Sequence, residues 1–207
     1  MYPRTQGPYH RCTGKSHLLP VAAALGHSSI SRDQKHCKIE GVFIRDEQRS
    51  DMVSYEKMTK LMNLGKLQTM TAVRLIEGIE LRWDQDRSLE LSFLTVIPFF
   101  QVRERYAIGQ RVQNQRRDLR FGSQLGLVTV DGCWTLELSS TWGEPYSGAL
   151  RERFTAVDEN GTLEVESTLC IGAKEEKATL IYQKMDAWVP RHKWNPLAML
   201  NPHSFQI

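Results

Sequence analysis

Between His36 and His192 the chain has no histidine; all six (His10, His17, His27, His36, His192, His203) lie near its two ends. The long central stretch is therefore without a histidine general base or histidine metal ligand. Cysteine is scarce as well. Cys12, Cys37, Cys133 and Cys170 show neither a CxxC nor any metal spacing, which points to thiols in a reducing compartment rather than a disulfide framework. No apolar run approaches the roughly 20 residues of a membrane-spanning helix. Nucleophile motifs and carboxylate pairs at a telling spacing are also missing. Excess charge is confined to one end: residues 1–39 carry six basic residues against the single acid Asp33, a net +5, so the other 168 residues sum to −2. The overall +3 and the basic isoelectric point are then no argument for nucleic-acid binding.

What is present is enough for one domain with a sizeable core, since the 207 residues are 41% hydrophobic and 25% charged. Residues 1–39 are acid-poor and without periodicity, and are expected to form a disordered or targeting leader; HLLPVAAAL is interrupted by Pro20 and makes a poor signal peptide. Residues 186–207, with three prolines and two tryptophans, are expected to be a C-terminal tail, either disordered or laid on the domain. Between them, residues 40–185 carry the pattern.

Helical periodicity is confined to residues 51–78. Ser50 is a suitable N-cap, and Met52, Tyr55, Met58 and Met62 recur at three- and four-residue steps. Leu64 and Gly65 break the pattern, and Leu67, Met70, Val73 and Ile76 restart it until Gly78. This predicts a helical hairpin. Its methionines suit either a closed core or an adaptable apolar lid.

Before and after the hairpin the sequence reads as strands: GVFIRD, then about 79–84, 88–96, 100–108, 111–119, 123–130, 133–141, 148–157, 162–170 and 176–184. Turn signals such as Gly109, Gly122, Asp131-Gly132 and Asn160-Gly161 leave room only for hairpins, hence an antiparallel meander. Leu89, Leu91 and Phe93 alternate with Glu90 and Ser92, and Trp134, Leu136 and Leu138 with Thr135 and Glu137, so one face is apolar. Ten strands with one apolar face and no second helical layer should close on themselves. The fold class is all-β: a ten-stranded antiparallel up-and-down barrel capped by a helix-turn-helix lid, with more interior than side chains can fill.

The order of elements resembles the intracellular fatty-acid-binding proteins, within the lipocalin-like (calycin) group, over about residues 40–184. Gly41-Val42-Phe43 stands where that family has Gly-x-Trp. Ser50-Asp51, Tyr55 and Leu64-Gly65 resemble its lid phrase, Glu104 to Gly109 its Glu-x-Phe-x-Leu-Gly strand end, Asp158 to Val165 its penultimate hairpin, and Ala178 to Lys184 its closing strand. The resemblance implies binding of a fatty acid or other hydrophobic ligand inside the barrel, with the hairpin as portal. It also implies a ligand carboxylate held by an Arg-x-Tyr on the last strand and by an arginine two strands earlier. Tyr182 matches the tyrosine, but Leu180 occupies the arginine position, which makes a neutral ligand more plausible.

Other residues are candidates for the polar end. Arg151 and Arg153 lie on the strand expected to carry the second basic residue, although inward-pointing Phe154 and Ala156 would turn both to solvent. In QRRDLR, strand alternation sets Arg117 opposite Arg116 and Arg120, so at least one arginine should point inward. A buried guanidinium needs a partner, either an anionic ligand head or Glu104, which shares a face with Tyr106. Tyr182, Arg117, Glu104, Arg151, Tyr106 and Trp134 are thus expected at the ligand, and Met58, Met62 and Met70 at the portal. No catalytic residue, metal or cofactor is expected.

The expected function is non-enzymatic intracellular binding and transport of a hydrophobic small molecule by a cytoplasmic monomer, with transient membrane contact through the lid; organelle targeting by residues 1–39 stays open. Two alternatives stand beside it: a lyase or isomerase on a lipocalin-like barrel, and an interaction module acting through its surface and tail.

Overall fold

The computed structural model describes residues 39–189 except 66–67, 70, 85–86, 98–100, 119 and 145. Ten strands follow one another in a single sheet: β1 (Gly41–Asp46), β2 (Ile76–Asp84), β3 (Ser88–Thr95), β4 (Val102–Ala107), β5 (Arg111–Gln115), β6 (Ser123–Asp131), β7 (Thr135–Trp142), β8 (Gly148–Ala156), β9 (Thr162–Ile171) and β10 (Lys174–Met185). All hydrogen-bonded neighbours are antiparallel, and the spatial order is β4-β3-β2-β1-β10-β9-β8-β7-β6-β5. The first and last strands in sequence pair with each other, so the meander curls into a barrel. Its single seam lies between β4 and β5.

That seam is bridged by a side chain. The Arg105 amide donates to Asn114 Oδ1 at 3.2 Å, and Asn114 Nδ2 donates to the Arg105 carbonyl at 3.1 Å. The asparagine amide thus reproduces the donor and acceptor that a strand partner would offer. At the end of the seam Gly109, with φ of +72°, gives its amide to the Val128 carbonyl at 2.8 Å.

The expected helical lid is present, with boundaries that differ from those read in the sequence. Helix α1 spans Met52–Leu61, and its N-cap is Asp51, not Ser50: the Asp51 carboxylate accepts from the Ser54 amide at 2.9 Å. That bond, together with the Ser54 hydroxyl, holds the Asp51 carboxyl below its ordinary range. Ser50 instead ties the start of the lid to β10, accepting from the Ile181 amide at 2.9 Å, while Asp51 N donates to the Thr179 carbonyl at 2.9 Å. The helix ends before Leu64-Gly65, where Asn63 takes a left-handed φ of 52°. The second helical stretch closes in a π-turn, Thr71–Leu75, and Ile76 already belongs to β2. Gly78 is therefore a strand residue rather than a helix stop. A Cβ there would lie 2.4 Å from the Phe43 carbonyl oxygen, so only glycine permits that closeness to β1. Met70 lies outside the described residues, as do residues 1–38 and 190–207 of the expected leader and tail.

Alternation places the core as expected. Leu81, Leu89, Leu91, Tyr106, Val128, Leu136, Leu138 and Leu163 are essentially inaccessible to water, with Phe43 and Phe154 among them. Met52 and Tyr55 of α1 pack against this cluster. A second cluster of Met58, Leu169 and Ala178 packs α1 onto β9 and β10. Free space survives between these two clusters.

Candidate functional site: a cavity beneath the lid

The space under α1 is a cavity of about 120 Å³. Its roof is Tyr55, Met58, Thr59, Met62, Leu64 and Ala72, and its walls include Leu150, Val165, Leu169 and Leu180. Apart from Tyr55 and Thr59, which carry hydroxyls, these are apolar side chains, as an apolar ligand requires. Polar groups enter from a few places only: Arg45, Arg116, Arg117, Asp118, Gln124, Glu152, Ser167 and Tyr182.

Arg117 is the hub. Its Nε and Nη2 donate to Glu104 Oε1 and Oε2 at 3.0 and 2.8 Å, and its Nη1 donates to Glu152 Oε2 at 2.7 Å. The guanidinium lies over the Phe93 ring at 4.5 Å. Behind it, the Tyr106 hydroxyl donates to Glu104 Oε2 at 2.9 Å and Gln124 Nε2 donates to Glu104 Oε1 at 2.7 Å. Glu104 is thus fully paired, and its partners come from β4, from β6 and from the turn after β5. Room for the Tyr106 ring comes from Gly126, where a Cβ would sit 2.3 Å from that ring.

One guanidinium here faces two carboxylates. Burial, more than Arg117 offsets, raises the Glu152 carboxyl above its ordinary range, with Glu104 adding to the rise. The same two carboxylates raise Arg117, outweighing its own burial. Burial also pushes the Tyr182 and Tyr106 hydroxyls well above the usual phenol range, so both are neutral donors.

The β5–β6 loop secures the lid. Arg116 and Asp118 form a buried bidentate pair, Nε to Oδ1 at 3.0 Å and Nη2 to Oδ2 at 2.6 Å. Arg120 donates from Nη1 to the Met62 carbonyl at 3.0 Å and from Nη2 to the Asn63 carbonyl at 2.6 Å, satisfying carbonyls left over at the end of α1. Gln68 reaches back to the Asp118 carbonyl at 3.1 Å.

Against the sequence expectations, Tyr182 and Arg117 reach the cavity, with Met58 and Met62 above them. Glu104 and Tyr106 stand behind Arg117, outside the cavity lining. Two candidates do not belong there. Arg151 has a 66% exposed side chain on the outer face, paired with Glu137 at 2.6 Å, because Phe154 and Glu152 take the inward positions of β8. Trp134 precedes β7 in a turn and is 37% exposed, beyond the reach of strand alternation. The alternation argument for QRRDLR also fails: β5 ends at Gln115, so Arg116 and Arg117 lie in a turn and both are turned inward.

Glu152 and Arg45 are among the polar cavity residues that the sequence reading did not single out. Glu152 was marked by the Arg-Glu-Arg of β8, which must send its middle residue to the side opposite the arginines. Arg45 was marked by Phe43: two residues on along β1, it shares the inward face.

No family model and no curated protein matches the chain. Solved structures do. The REP1-NXSQ fatty acid transporter is 18% identical, with a TM-score of 0.52 over 72% of this chain and 97% of its own. Fatty-acid-binding protein 1 of Echinococcus granulosus is 12% identical, with a TM-score of 0.54 over 71% and 97%. Lipid binding protein 8 of Caenorhabditis elegans, in its apo form, is 16% identical, with a TM-score of 0.55 over 70% and 94%. The chain has the fold of these fatty-acid- and lipid-binding proteins.

Proposed function

We propose that this chain is a non-enzymatic carrier that holds a hydrophobic small molecule, a lipid, inside its barrel beneath α1. The observation that supports this most is the cavity between two packed clusters, apolar on its roof and walls and polar at a few fixed points. Removing apolar ligand surface from water supplies the affinity, at roughly 25 cal/mol per Å² buried. The lid decides access, since a ligand enters by displacing Met58 and Met62 or the loop that Arg120 holds. Tyr182 and Arg117 are the polar groups at the ligand, with Glu104 and Tyr106 fixing Arg117. Among the described residues no helix is long and apolar enough to cross a membrane.

The test is displacement of an environment-sensitive apolar fluorophore from the full chain by fatty acids, retinoids and sterols. Saturable binding at one site per chain is expected. A folded chain from which none of these compounds displaces the probe, or which never binds it, contradicts the carrier reading.

A further inference from the structure

Among the described residues, only Asn63 and Tyr146 have a left-handed backbone without being glycine, with φ of 52° and 60°. Asparagine takes that conformation readily, but a tyrosine there is strained and stays so only where its surroundings hold it. The two residues are far apart in sequence and bonded to each other: Asn63 Nδ2 donates to the Tyr146 hydroxyl at 2.9 Å. Asn63 follows the end of α1, and Tyr146 belongs to the loop between β7 and β8. Further contacts converge on the pair. The Arg120 guanidinium lies over the Tyr146 ring at 4.2 Å while it donates to the Met62 and Asn63 carbonyls. Trp142 Nε1 donates to the Tyr146 carbonyl at 2.7 Å, and Arg116 Nη1 to the Gly143 carbonyl at 3.1 Å. The end of α1, the β5–β6 turn and the β7–β8 loop thus meet at one point on the rim.

The two ends of α1 are held differently. At its start, Asp51 N donates to the Thr179 carbonyl and the Ile181 amide donates to the Ser50 hydroxyl, so the helix is sewn to the backbone of β10. At its end every such tie runs through a side chain, on a rim where Tyr146 is 44% exposed and water can replace each partner. Segments held by exposed hydrogen bonds are the first to open. Met62, part of the cavity roof, sits at the end that opens.

Resting on the carrier reading above, we infer that Tyr146 and Arg120 form a latch on the free end of α1, which swings on a hinge at Ser50–Asp51. The latch sets how fast a ligand enters and leaves, and not how tightly it is held. Neither Tyr146 nor Arg120 lines the cavity, so contact with the ligand gives them no part in binding. Weakening the latch raises the open fraction of the empty and of the filled barrel by the same factor, so both rate constants rise together and their ratio is kept.

The experiment uses the full chain and the environment-sensitive apolar fluorophore. Stopped-flow mixing reads association, and mixing the loaded protein with excess cyclodextrin, which captures released fluorophore, reads dissociation. Tyr146→Phe keeps the ring over Arg120 and loses only the hydroxyl. It is expected to raise both rates by roughly two- to tenfold, the worth of one hydrogen bond. Arg120→Met loses two bonds from a charged group and is expected to raise both by roughly tenfold or more. Kd should stay within about twofold of wild type in each, since the two rates shift together. Lys60→Gln, which alters only an exposed pair with Glu56 on α1, should leave both rates as they are. Circular dichroism shows which variants fold, and Tyr146→Phe carries the expectation if Arg120→Met does not. Unchanged rates in either folded variant overturn the inference, as does an equal rise in Lys60→Gln. A rise in dissociation alone overturns it too, because these residues would then hold the ligand and not the lid. If the fluorophore never binds the wild type, the carrier reading itself fails and takes this inference with it.

Discussion

Arg117→Met is expected to lower the stability of the fold by about 3–5 kcal/mol, the cost of leaving buried carboxylates without their cation. Arg117 is the sole described cation hydrogen-bonded to Glu104 and Glu152. Without it, Glu152 loses its favourable charge while burial continues to penalise ionisation, so its folded-state pKa rises further. A carboxyl whose folded pKa lies above its unfolded value favours folding below the unfolded value, and that contribution is lost as pH rises through the folded one. The deficit of the variant against wild type should therefore shrink below about pH 4 and be largest at neutral pH. Urea unfolding at a series of pH values reads this directly. Adding Glu104→Gln and Glu152→Gln to the Arg117→Met variant should recover most of the loss. A deficit independent of pH would mean that the cost is one of packing against Phe93 rather than of charge.

The second large effect is on binding. Ser167 is a small buried residue of β9 on the cavity wall. Ser167→Phe fills the space with its ring, and binding of the apolar fluorophore should weaken by at least about a hundredfold, equivalent to roughly 2.7 kcal/mol. The fold itself should survive, since overpacking costs on the order of 1–3 kcal/mol. Circular dichroism and a cooperative unfolding transition would confirm that the variant is folded. A folded variant that binds the probe like wild type would place the probe elsewhere.

The contrast between what the sequence made legible and what it did not has physical causes. Period-two alternation is a property of extended backbone, so β3, β7 and β9 could be read with their inward residues. The same rule applied past a strand end misleads. It carried Trp134 into the barrel, though the chain there is already turning, and it set Arg116 and Arg117 on opposite faces, though β5 had stopped at Gln115. Glu104 with an inward arginine could be foreseen because an unpaired buried charge is too costly, whereas Glu152 needed the β8 alternation to be followed through to the residue between two arginines. The lid was legible as helix, but its N-cap was not. Ser50 and Asp51 are both good caps, and the choice is made by β10, whose Ile181 amide takes the Ser50 hydroxyl as acceptor. Arg45 was hidden by its surroundings in the sequence: GVFIRD ends in two charges that look like the end of a strand, yet Asp46 turns the chain while Arg45 stays inside.

The central claim is that the ligand lies inside the barrel, and the most direct measurement is of its neighbours. Nuclear Overhauser contacts between a carbon-13-labelled long-chain fatty acid and the protein methyl groups should run from the ligand's tail to Met58, Leu169 and Leu180. Contacts confined to outward side chains such as Val53 and Val130 would contradict it.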